Sequence, residues 1–234
     1  MSDRTTRELT AEAVAELNPP EARGILFVIS SPSGGGKGTL IRRVRQDVPR
    51  LGYSVSWTTR PAREGELEGV HYNFVTQLEF EAARDRGEFL EWAVVHQNYY
   101  GTSRTNVERE LRAGRDVVLE IDVQGAASIK RAGMDSVSVF ILPPSFEVLR
   151  ARLAARETES PEQLIVRLGD SRAEVEQYGQ FDFVILNDEV ERAASQLACV
   201  VQAERARRGR QEPLARSVLA TFPVSSEQKS LNRI

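Results

Sequence analysis

The chain has 234 residues, 41% hydrophobic and 28% charged, with a formal net charge of −3. That length suits one sizeable domain, or a domain with an inserted lid, and its apolar fraction can bury a core. The slightly acidic balance excludes a global pull toward nucleic acid or anionic membrane, so any basic site must be local. Cys199, the one cysteine, excludes an intrachain disulfide and nearly excludes a cysteine-based metal site.

Residues 1–23 read as a flexible polar extension, unlike a signal peptide. "NPPEA", Asn18 to Ala22, marks a hinge before a domain expected over residues 24–208. No apolar run approaches the roughly 20 residues of a membrane span. The expectation is a cytoplasmic chain with no membrane and no nucleic-acid partner; monomer and homo-oligomer both stay open. Strand-like runs are Ile25–Ile29, Ser54–Thr58, Phe89–Val95, Val117–Ile121, Val137–Leu142 and Phe183–Leu186. "VVLEI" is mostly of buried type, as in a parallel sheet covered on both faces. Helix candidates lie between these runs. Thr76 to Glu79 is a capping-box pattern, with Gly87 after the helix it would start. Ser145 can cap a helix that turns Phe146, Leu149 and Leu153 inward, and Ser160-Pro161 can open another. Cys199 in "LACVV" reads as a buried thiol on the last such helix, and residues 209–234 read as a tail. The alternation predicts an α/β fold with a mostly parallel sheet, whose ligands sit beyond the carboxyl ends of its strands.

The first strand runs into Ser31-Pro32-Ser33-Gly34-Gly35-Gly36-Lys37-Gly38-Thr39. The strict phosphate-loop pattern G-x-x-x-x-G-K-[ST] fails twice here, at Ser31 and at Gly38. The chemistry still fits. Glycines let the backbone turn its N–H groups around an anion, and a helix starting near Lys37 points its positive end there. Lys37 would reach the β and γ phosphates of a nucleotide. Ser31 is tolerable if its backbone need not be left-handed. Gly38 removes the hydroxyl often used on Mg²⁺, leaving the ion to phosphates, water and carboxylates. The alternative is a surface turn with a solvated lysine.

A second anion site follows in "SVSWTTRPAREGE". Arg60 and Arg63 are close enough to grip one phosphate, unless they are surface arginines balanced by Glu64 and Glu66. Tyr72 and the stretch "NYYGTS" offer hydroxyls near strand or loop ends. Glu91 sits in an otherwise apolar strand and needs a partner if buried. A guanine base would supply one, because its N1–H and amino group match the two carboxylate oxygens. Further on, Arg156 and Arg167 flank a polar break, Glu157 to Ser160, as a mobile lid would carry arginines onto a phosphate. Arg150 and Arg172 read as solvated. His71, His96 and Cys199 have no metal-type partners at useful spacing, and no residue is singled out as a metal ligand.

"PSGGGKGTL", "SVSWTTRPAREGELEGVHYNF", "FLEWAVVHQNYYGTS", "LEIDVQGA", "FILPPS" and "VILND" stand in this order over about Gly24 to Arg208. The ordered set resembles the guanylate kinase family, and Lys37-Gly38-Thr39 is similar to the loop of nucleoside monophosphate kinases generally. The resemblance implies a P-loop kinase fold with a parallel-sheet core, a GMP-binding region over about 54–105 and a mobile lid over about 150–170. ATP, with Mg²⁺, and GMP would be the substrates. It implies that Ser31 to Thr39 hold ATP, with Asn187 and Asp188 near the adenine. It places Arg60, Arg63, Tyr72, Tyr100 and Ser56 around the GMP phosphate, with Glu66 in the same group. Glu91 and Thr102 would read the base, with Asp122 near it. Glu120 stands where some members carry aspartate. Lys37, Arg60, Arg156 and Arg167 would be the catalytic set. Glu157 replaces a glycine common after the first lid arginine. Two other readings are a phosphopeptide-binding module of the same fold and a kinase acting on a phosphorylated sugar. The intact loop speaks against the first, and Glu91, Tyr100 and Thr102 against the second.

Overall fold

The computed structural model describes residues 23–95, 97–155 and 161–222, with the backbone alone for 161–164. These residues divide between a compact unit of 23–201 and a second unit whose described part is 202–222.

The first unit is built on a five-stranded parallel sheet in the order β2-β7-β1-β8-β9. Its strands are β1 (Leu26–Ser30), β2 (Leu51–Tyr53), β7 (Asp116–Glu120), β8 (Val137–Leu142) and β9 (Phe183–Leu186). The central strand, β1, is buried at every position. Its side chains alternate between two cores, as a period of two requires. Phe27 and Ile29 join Leu40, Ile41 and Val44 of α1 (Lys37–Asp47) and Leu197 of α7 (Val190–Arg205). Leu26 and Val28 face Val107 and Leu111 of α3 (Arg104–Arg112) and Ile129 of α4 (Val123–Arg131). Fully burying a side chain such as Leu40 is worth about 1.5–3 kcal/mol. α1 is therefore pinned by packing, at the point where its first residue must face the loop.

A second sheet, in the order β4-β3-β6-β5, combines β3 (Trp57–Thr58), β4 (Asn73–Phe74), β5 (Phe89–Val95) and β6 (Asn98–Ser103). Here β3/β6 and β5/β6 are antiparallel and only β3/β4 is parallel, so the expected parallel character belongs to the first sheet alone. The predicted strand Ser54–Thr58 is not one strand. β2 ends at Tyr53 in the first sheet and β3 begins at Trp57 in the second, with Ser54 to Ser56 carrying the chain across. "NYYGTS", expected near strand or loop ends, is the whole of β6.

Helix ends follow their local signals. Thr76 and Glu79 form a complete capping box on α2 (Gln77–Asp85), and Gly87 follows at φ 72°. Ser145 accepts from the Val148 N–H at the start of α5 (Phe146–Ala154). Leu149 and Leu153 turn inward, but Phe146 is exposed, because it starts the helix one turn short of the buried face. α6 (Pro161–Glu176) opens at the expected proline and runs into a 3₁₀ turn, Gln177–Gln180. Cys199 corrects the expectation of a buried thiol: it is exposed. α7 buries Ala193, Ala194, Leu197 and Val201, and a residue two places beyond Leu197 lies about 200° round the helix.

The described part of the second unit contains α8 (Arg208–Leu219), a helix within the segment expected to be a tail. Among the described residues no helix is long and apolar enough to cross a membrane.

Candidate active site

A cavity of about 720 Å³ opens beyond the carboxyl ends of β1 and β7, where ligands of parallel sheets bind. One wall is the glycine loop. Gly34 and Gly36 take φ of 81° and 93°, a left-handed backbone that L side chains rarely adopt. Both also lack room: a Cβ at Gly34 would lie 2.8 Å from Leu153 Cγ, and one at Gly36 would lie 2.2 Å from Asn187 Nδ2. Ser31 is not left-handed, which is why a serine fits there. It also contributes more than tolerance, because Lys37 Nζ donates to its carbonyl and its hydroxyl, both at 3.1 Å. α1 begins at Lys37, so the loop meets the positive end of a helix as expected. Ser31, Ser33, Gly34, Gly35, Gly36, Lys37 and Gly38 line the cavity. Pro32 and Thr39 are not among the lining residues; Pro32 is buried and Thr39 is exposed.

The opposite wall comes from the second sheet and its connections. Ser56, Arg60, Arg63 and Glu66 line it with Tyr72, Tyr100 and Glu91, and Glu120 and Asp122 follow β7. Glu66 pins the arginines: its carboxylate accepts from Arg60 Nη2 at 2.8 and 2.9 Å and from the Arg63 N–H at 2.7 Å. Arg60 also lies 5.4 Å from the Tyr72 ring centre. Burial works against the Glu66 charge, but the bonds from Arg63 and Arg60 outweigh it and hold the carboxyl below its usual range. Glu64 is exposed and is not among the lining residues. Burial raises the Tyr72 hydroxyl, aided by Glu120 and Tyr100, so it stays protonated and able to donate.

Glu91 is 6% exposed and accepts from Thr102 Oγ1 at 2.5 Å. Burial pushes it up to about 7; Thr102 pulls it down and Asp122 adds to the rise. Asp122 caps α4, accepting from the Gly125 N–H at 2.9 Å. Gly125 leaves space for the strand carboxylate, since a Cβ there would lie 2.8 Å from Glu91 Oε2. Thr102 itself does not line the cavity and acts through Glu91. Glu120 accepts from the Tyr53 hydroxyl at 3.2 Å, and its two carboxylate oxygens lie 3.4 Å from where a Cβ on Gly38 would be.

From α6, Arg167 lines the cavity and its Nη1 donates to Ser33 Oγ at 3.0 Å. Arg156 lies outside the described residues, as do Glu157 to Ser160 and His96. His71 is exposed at the cavity rim, where its Nδ1 accepts from the Leu67 N–H. Asn187 and Asp188 are not among the lining residues. Asn187 is buried and braces the loop, donating from Nδ2 to Gly35 O at 2.8 Å. Asp188 pairs with Arg192 at the start of α7.

Glu174 and Arg152 are among the residues here that the sequence did not single out. Glu174 lines the cavity and accepts from the Ser33 N–H at 3.1 Å. Arg152 donates to Asn187 O, leaving a buried Nη1 without a partner among the described residues, 3.9 Å from a Cβ built on Gly36. Only its place in the arginine-rich stretch 150–172 hinted at a role.

A glycine loop between a buried parallel strand and a helix, facing a second cationic site across one cavity, defines a P-loop phosphotransferase. Comparison with known proteins narrows the class. The family model for guanylate kinase matches residues 23–204, and the chain belongs to that family. The guanylate kinase of Neisseria gonorrhoeae is 51% identical over 189 residues, covering 81% of this chain and 92% of its own. That of Agrobacterium fabrum is 45% identical over 205 residues, covering 86% and 93%. The crystal structure of guanylate kinase from Anaplasma phagocytophilum superposes with a TM-score of 0.70 at 33% identity, over 88% of this chain and 98% of that one.

Proposed function

We propose that the protein transfers the γ-phosphoryl group of ATP to GMP, giving ADP and GDP. The observation that carries this reading is one cavity lined by both the glycine loop and a buried carboxylate, Glu91, held by Thr102. A GMP phosphate oxygen forms the new bond to the γ-phosphorus, and the bond to the β–γ bridging oxygen breaks. The acceptor is already an anion, so alignment and charge neutralisation matter more than a general base. Lys37 and the loop amides hold the donor. Arg60 and Arg63 hold the acceptor phosphate, with Tyr72, Tyr100 and Ser56 near it. Glu91, with Asp122, accepts hydrogen bonds from the guanine edge. Arg167, and Arg156 by its place in the sequence, belong to a lid that neutralises the migrating group. Asn187 serves ATP indirectly, by bracing the loop.

Mg²⁺ fits this arrangement. Gly38 offers no hydroxyl, and the Glu120 carboxylate stands beside it, so the ion would be held by the donor phosphates and water with Glu120 at hand. When bound, it screens the donor charge. We assign the protein to cytoplasmic recycling of GMP among purine nucleotides.

A coupled assay with ATP and Mg²⁺ compares GMP with AMP, CMP, UMP and ribose phosphates. GMP turnover exceeding that of the other bases by at least about 10²-fold is expected, because a wrong base leaves buried polar groups unpaired. Absence of GMP turnover would overturn the reading. Preference for a ribose phosphate would favour the sugar-phosphate kinase.

A further inference from the structure

The lid helix meets the phosphate loop twice at one residue. Arg167 Nη1 donates to Ser33 Oγ at 3.0 Å, and Glu174 Oε2 accepts from the Ser33 N–H at 3.1 Å. The two side chains are seven positions apart in α6, about two helical turns, and so share one face. Ser171 on that face is buried, its hydroxyl returned to Leu168 O at 2.7 Å, and adds no third contact to the loop. Glu174 is out of place as electrostatics. An acid beside a site for phosphates repels them. Burial also pushes its carboxyl above the usual range, with the Ser33 N–H and Lys37 opposing the rise and Asp122 and Asp170 adding to it. A group held there against both costs has a geometric task.

We propose that Glu174 is a positioning residue: by holding the Ser33 amide it sets the register of α6 on the phosphate loop and so aims Arg167 at the donor end of the cavity. This rests on the kinase reading above, in which Arg167 meets the migrating phosphoryl. The carboxylate touches no reacting atom. It acts through one backbone N–H and one arginine two turns away, which makes its contribution conditional on that arginine.

The test is a double-substitution cycle in the full-length chain. Steady-state kinetics with ATP, Mg²⁺ and GMP are measured for the wild type, Glu174→Ala, Glu174→Gln, Arg167→Ala and Glu174→Ala with Arg167→Ala. Glu174→Ala is expected to lower kcat roughly tenfold, with KM for GMP within about twofold, the signature of a misaimed group. Glu174→Gln keeps an oxygen that can accept from the Ser33 N–H and is expected to stay within about threefold of wild type. In the Arg167→Ala background, Glu174→Ala should cost less than about threefold, because coupled residues are not additive. An unchanged kcat for Glu174→Ala, equal losses for Gln and Ala, or full additivity overturns the proposal. If Glu174→Ala does not fold, Glu174→Asp takes its place in the cycle. It keeps the charge and shortens the reach, so wild-type kcat would overturn the proposal and a loss of about fivefold or more would support it. A wild type that leaves GMP untouched overturns the kinase reading alone. The cycle is then read by calorimetry in the affinity for ATP with Mg²⁺, where coupling supports the proposal and additivity overturns it.

Discussion

At the glycine-loop end of the cavity, the donor end on the proposed reading, the shape is held mainly by backbone, two left-handed glycines and the first turn of α1, braced by the Asn187 side-chain amide. At the acceptor end it is held by side chains that are charged or costly to charge: Arg60 on Glu66, and Glu91 on Thr102 beside Asp122. The backbone site has few ways to bend, and Lys37 is the one ionisable side chain within the loop itself. The side-chain site can be retuned by one substitution or one proton. On the proposed function, the difference matches the ligands. A polyphosphate is recognised by form and charge, whereas a base is recognised by the placement of a few hydrogen bonds.

The contrast is broken most severely at Lys37, the one charged side chain within the donor loop. Lys37→Ala is expected to lower kcat by about 10²–10³-fold, as removal of a preorganised charge does. It should leave the thermal midpoint close to wild type, and loss of folding in a melt would show the loop to be misread. Gly36→Ala tests the backbone half directly. The left-handed residue and the contact with Asn187 should cost about 1–3 kcal/mol of stability in denaturant unfolding, together with much of the activity.

The acceptor half responds differently. Glu91→Gln removes a charged acceptor worth about 1.5–3 kcal/mol, so KM for GMP should rise at least about tenfold while KM for ATP stays within about twofold. The wild-type kcat/KM for GMP should climb as pH passes through about 7, where Glu91 ionises, and the Gln variant should lack that rise. Stability moves the opposite way. Burial raises the folded-state pKa from the ordinary 4.5 to about 7, so the folded protein holds this proton more tightly across that window. Stability from this group is therefore full below the window, falls as pH climbs through it and stays lower above it. Glu91→Gln should accordingly raise the melting temperature at pH 8 and change it little near pH 4. A stabilised variant with poor use of GMP would mark Glu91 as a residue kept at a cost to the fold.

The donor end was the more legible in sequence, for the same physical reason. Glycines, a lysine and the start of a helix act within a few residues of one another, so adjacency along the chain nearly fixes their geometry. Capping at Thr76 and Ser145 was readable on the same basis. Long-range relations were not. Nothing between Ser54 and Thr58 marks the passage from one sheet to another, because β2 and β3 are defined by partners far along the chain. β6 lacks an apolar run and is a strand because β5 and β3 flank it. Glu174 and Ser33 stand 141 positions apart, and an acid on a helix carries no mark of that meeting. Cys199 fell to helical period: a run of apolar letters is not a face.

Gly125 carries a consequence for anyone who tries to re-engineer the base preference. The carboxylate of Glu91 occupies the space in which a side chain on Gly125 would begin. The two positions therefore share one volume, although they stand 34 positions apart in the chain. Randomising position 91 alone explores only what fits against a bare backbone. A library that pairs a shorter residue at 91 with alanine or serine at 125 reaches pockets that no single change can. In lineages where either position drifts, the other is expected to drift with it.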